Sequence, residues 1–73
     1  SNVIEFIRSV RLKKAAQLLQ KQKLPVSEVS LMVGFNDAKY FSKCFIKEFG
    51  VSPREYAKGI TPDKPSQEEE NQQ

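Results

Sequence analysis

Between Val26 and Phe49 the chain reads VSEVSLMVGFNDAKYFSKCFIKEF, and one glycine, Gly34, separates two stretches of helical pattern. No other feature restricts the fold as tightly. The pattern predicts a short helix over Val26 to Val33 and a longer one over Asp37 to Phe49. At about 100° per residue, Phe41, Phe45 and Phe49 fall on one face of the longer helix. Lys39, Lys43 and Lys47 fall on the other, with Ser42 at the border. Gly34 supplies the left-handed backbone that ends a helix at little steric cost. Phe35 follows as a core plug, and Asn36 or Asp37 caps the next helix. A short helix, a glycine turn and an aromatic-anchored helix with cations outward suggest a helix-turn-helix DNA reader.

The flanking residues fit a small all-helical bundle. Phe6, Ile7, Val10, Leu12, Ala15, Ala16, Leu18 and Leu19 recur at helical spacings, with no Gly or Pro among them. They predict one long helix from Val3 to Gln20 or Gln22. Lys21 and Lys23 sit near its C-terminal end, where cations suit the helix dipole. Leu24 precedes a proline and is biased away from helical geometry. Pro25 is then expected in the first turn of the next helix. Val26, Val29 and Val33 form its apolar stripe, with the small Ser30 on the inner side. Gly50 ends the longer helix. Ser52-Pro53-Arg54-Glu55 carries a capping box with proline at the first helical position, so a last helix is expected over Pro53 to Lys58, with Tyr56 packed inward and Gly59 closing it. Ser1 and Asn2 are set aside as an expression remnant or a frayed start. Residues 61–73, TPDKPSQEEENQQ, hold almost no apolar side chain and are expected to be a disordered acidic tail. The expected fold over residues 3–60 is thus all-α: a homeodomain-like helix-turn-helix preceded by a long helix.

Composition removes whole classes of function. With 73 residues the chain is one domain at most. It has no His and one Cys, which excludes zinc fingers, disulfide frameworks and His-activated nucleophiles. No cofactor, metal or enzymatic site is expected. Cys44 is expected to be a buried structural thiol rather than a redox centre, and a lone Cys fits a reducing cytoplasm. No apolar run is long enough to span a membrane, and no secretory signal is expected. Residues 1–60 carry 11 Lys and Arg against 5 Asp and Glu, a net +6, while residues 61–73 carry 1 against 4, a net −3. A basic body favours a polyanion through counterion release, although a solvated helix surface has the same composition.

Within the longer helix the Phe stripe could wedge between bases, but its i, i+4, i+8 spacing makes it core. The exposed N-terminal half then holds the side chains able to reach base edges. Ala38 can touch a thymine methyl. Lys39 or Lys43 can donate to guanine, and Ser42 both donates and accepts. Tyr40, Lys47 and Arg54 are better placed for phosphates.

RLKKAAQLL, VSEVSLMVGF and YFSKCFIKEFGVSPREY, together spanning about Phe6 to Tyr56, resemble the C-terminal half of an AraC/XylS-family DNA-binding domain. The resemblance implies a bacterial transcription factor with two helix-turn-helix units joined by a long helix. The helix Val3 to Gln20 would be the joining helix and Val26 to Phe49 the second unit. It also implies that Ala38, Lys39, Ser42 and Lys43 occupy base-facing positions, and that Arg11 matches the arginine of the joining helix, placed with the phosphate contacts. The first unit is absent here, so the chain resembles part of a larger regulator. Family members sit behind sugar-binding domains or at the end of two-component sensor proteins. The expected partners are double-stranded DNA, an upstream effector or signalling domain and RNA polymerase. The alternative reading is a helical module whose basic face contacts RNA polymerase or another regulator.

Overall fold

The computed structural model describes residues 2–60 and 62. Four helices follow one another: α1 (Val3–Lys21), α2 (Val26–Met32), α3 (Ala38–Phe49) and α4 (Pro53–Ala57), with no strand among the described residues. α1 packs against each of the other three, so the bundle is built around its C-terminal half. The acidic tail expected over 61–73 lies outside the described residues except for Pro62.

Each boundary has a local cause. Asn2 caps α1, its side chain accepting the Glu5 N–H at 2.9 Å. Such a cap satisfies one of the donors that a helix start leaves unpaired, worth about 1 kcal/mol. Pro25 stands one position earlier than expected, at the N-cap of α2, with extended backbone and its carbonyl accepting from Glu28 and Val29. Its fixed φ suits that position, and the absent N–H is needed by nothing there. α2 closes in a Schellman turn. Phe35 N–H donates to the Ser30 carbonyl at 2.8 Å and Gly34 N–H to that of Leu31 at 3.1 Å. Gly34 has φ +97°, a conformation in which a side chain is strained. Asp37 caps α3, its carboxylate accepting from the Lys39 and Tyr40 N–H groups. Ser52 and Glu55 form the expected capping box on α4.

The core is one cluster. Leu12, Ala15 and Leu19 of α1 meet Val29 of α2, Phe35 of the turn, and Phe41 and Phe45 of α3. Phe41, Phe45 and Val29 are fully buried. Phe35 meets Phe41 edge-on at 5.2 Å, and Tyr56 meets Phe45 at 5.5 Å, which fastens α4 to the end of α3.

α1 divides at its middle. From Leu12 onward its apolar residues are buried, but Phe6 is 69% exposed and Val10 51%, and Val3, Ile4 and Ile7 are exposed as well. No single apolar stripe runs through both halves: Phe6 and Leu12, six residues apart, stand about 120° apart around the axis, and only the face of the second half has helices to pack against. The three short elements are too few to cover all 19 residues of α1.

Candidate nucleic-acid interface

α3 is held from behind and free in front. Phe41 and Phe45 are sealed in the core and Phe49 is half-buried against Tyr56, which fixes the helix about its own axis. The opposite side carries Lys39, Lys43, Ile46 and Lys47, all exposed, while Ala38, three residues before Phe41, lies on the aromatic side but is exposed in the first turn. Ser42 lies between the two faces and is half-buried, as its border position implies. The turn at Gly34 joins α2 to the N-terminal end of α3. Ala38 and Lys39 are its first two residues and Lys43 follows one turn on. The structure therefore places Lys39 and Lys43 on one open surface, leaves Ser42 at its edge, and exposes Ala38 on the aromatic side of the first turn.

The expected phosphate residues are more dispersed. Tyr40 is 47% exposed, with its ring 6.0 Å from that of Phe35. It lines a groove of about 640 Å³ between α1 and the α2–α3 turn, together with Ile4, Ile7, Arg8, Arg11 and Asn36. Arg11 lies across the turn itself. A Cβ on Gly34 would come within 3.2 Å of the Arg11 Cζ, so the guanidinium lies directly against the turn, whose backbone conformation is what calls for glycine. Lys47 faces a second cleft, shared with Glu5, Arg8, Ser9 and Glu48. There the Ser9 hydroxyl donates to the Glu48 carboxylate at 2.8 Å, tying α1 to α3. Arg54 is exposed on α4. Arg8, which borders both clefts, did not stand out in the sequence because nothing in a helical pattern says which exposed arginine will meet a loop far along the chain.

Cys44 is a half-buried free thiol packed against the core. Among the described residues no cluster of His, Cys, Asp and Glu could hold a metal ion, and no helix is long and apolar enough to cross a membrane.

The helix-turn-helix domain family matches residues 1–59. Histidine kinase P4 of Formosa agariphila is 54% identical over 52 residues, which cover 71% of this chain and 4% of that protein. The HTH-type transcriptional regulator YpdC of Escherichia coli (strain K12) is 44% identical over 54 residues, 74% of this chain and 19% of that protein. Among solved structures, the C-terminal domain of AraT, a response regulator from Geobacillus stearothermophilus, superposes with a TM-score of 0.78 at 36% identity, covering 84% of this chain and 50% of that one. The chain thus spans a fifth or less of these two curated relatives and half of the solved domain.

Proposed function

Since the chain belongs to the AraC/XylS family of helix-turn-helix domains, we propose that it is a sequence-reading DNA-binding module of a bacterial transcription regulator. The observation that carries this reading is the division of α3. Its aromatic face is locked into the core while Ala38, Lys39 and Lys43 stand exposed on the half that leads from the Gly34 turn. A helix so anchored enters a major groove as a rigid body, and its leading side chains meet base edges. In this reading Ala38, Lys39, Ser42 and Lys43 face bases, and Tyr40, Lys47, Arg54 and Arg11 face phosphates.

The module works as part of a longer cytoplasmic protein. Its similarity to a histidine kinase and to a response-regulator domain favours a two-component signalling protein over a sugar sensor upstream. RNA polymerase is then the partner of the assembled regulator, and the module itself performs no catalysis.

Titration of the chain with duplex DNA at several salt concentrations tests the reading. One unit without its pair binds weakly. If about four to six phosphates are neutralised, log affinity falls against log salt with a slope of about −0.9 per phosphate. Absence of binding to any duplex at low salt would favour a protein partner for the basic face instead.

A further inference from the structure

Two arginines of α1 are left without a partner inside the fold. Arg8 and Arg11 line the groove between α1 and the α2–α3 turn, and neither has a hydrogen-bond or ion-pair partner among the described residues. The carboxylates nearby are already engaged. Asp37 borders the same groove, but its side chain accepts from the Lys39 and Tyr40 N–H groups as the cap of α3. Glu48, across the second cleft from Arg8, accepts from Ser9. The remaining walls include Ile4, Ile7 and Phe35, whose side chains offer no acceptor. The Arg11 guanidinium lies against Gly34, over the turn.

A guanidinium presents a planar fork of donors that matches the oxygens of a phosphate. The groove runs to the first turn of α3, where Asn36, Asp37 and Tyr40 complete its rim. That is the end of the helix that leads into DNA in the function proposed above, on which this inference rests. A duplex engaged by Ala38 and Lys39 carries its sugar-phosphate backbone past this rim. We infer that the groove is a phosphate-binding site for that backbone. Arg8, a residue outside the recognition motif, is its second cation beside Arg11, and Tyr40 is its hydroxyl donor. An acidic protein segment is the competing occupant, since carboxylates also suit the fork.

The test uses the whole 73-residue chain with a short labelled duplex at several low salt concentrations, measured by fluorescence anisotropy. The variants are R8Q, R8K, R11Q and K13Q. Lys13 is exposed well around α1 from the groove and serves as the charge control. Arg8 is only partly buried and Arg11 exposed, and glutamine suits a helix, so melting by circular dichroism is expected to match the parent. R8Q and R11Q should each weaken binding several-fold to every duplex, whatever its sequence, and make the salt slope shallower by about 0.9, the share of one phosphate. R8K should restore the slope but not the full affinity, because it keeps the charge and loses the fork. K13Q should leave the slope unchanged. An R8Q slope equal to the parent's removes Arg8 from the site, and an equal loss in K13Q reduces the effect to net charge. A parent that binds no duplex overturns the DNA function itself. A parent that binds, with R8Q and R11Q unaffected, overturns only the groove and leaves it to an acidic protein partner.

Discussion

At the scale of single residues, the three lysines of α3 are not equivalent. A step of four residues advances about 400°, so a stripe at that spacing turns by about 40° per step around the helix. Lys43 therefore stands opposite the buried Phe41 and Phe45, with Lys39 about 40° to one side and Lys47 about 40° to the other. Lys47 has rotated toward α1, where it borders the cleft with Glu5 and Glu48. A phosphate running along the outside of the helix is its expected contact. Replacing whichever of Lys39 and Lys43 reads a base should cost about 1–3 kcal/mol on the preferred site and flatten preference at one base pair. Lys47→Ala should weaken all duplexes alike. Competition titrations with single-base variants, made in the full-length regulator, separate the two behaviours. Uniform losses for both Lys39→Ala and Lys43→Ala would mean that α3 only anchors the protein electrostatically.

Among the elements, α3 and α1 place their apolar residues in opposite circumstances. Phe45 contacts Phe41, Phe49 and Tyr56 with ring centroids between 4.6 and 5.8 Å and has no exposed surface. Through Tyr56 it also secures α4, five residues long and too short to be stable alone. Phe45→Ala should therefore cost about 3–5 kcal/mol, a large part of what so small a domain has. Phe6 lies on the same helix as Leu12, about 120° around its axis, and stands 69% exposed. Phe6→Gln should shift stability by no more than about 0.5 kcal/mol in this chain. Thermal melting of the two variants compares them directly. An unmoved midpoint for Phe45→Ala would reverse the assignment of the two faces of α3.

For the molecule as a whole, charge is separated along the chain. The described body carries a net +6, and residues 63–73 carry 1 Lys against 4 Asp and Glu. Those carboxylates oppose a polyanion whatever their position, because at low salt the field of a small protein extends over its whole width. A chain ending at Pro62 keeps the side chain that lies closest to Gly50 and loses the acidic segment. It should bind duplex DNA more tightly than the full chain at low salt, and the difference should shrink as salt rises. Parallel titrations of the two chains measure this, and equal affinities at low salt would show that the acidic segment does not act on the interface.

Local signals were enough for most of the architecture. The Schellman turn at Gly34, the Asp37 cap, the capping box at Ser52 and the aromatic stripe of α3 are each encoded within a few adjacent residues. The span of every helix and the inward face of α3 were legible for that reason. Asn2 was missed because a cap at a chain end resembles a remnant, and Pro25 because proline is tolerated both at and just after a cap. What tertiary structure alone decided concerns residues far apart in sequence. Periodicity records that Phe6 and Leu12 belong to apolar positions of one helix, but burial depends on whether another element covers them, and here only Leu12 is covered. The groove that joins Arg8 and Arg11 to Gly34 and Tyr40 arises from the angle at which α1 crosses the turn. That angle is set by how Leu12, Val29, Phe35 and Phe41 pack together, and no window of adjacent residues contains it.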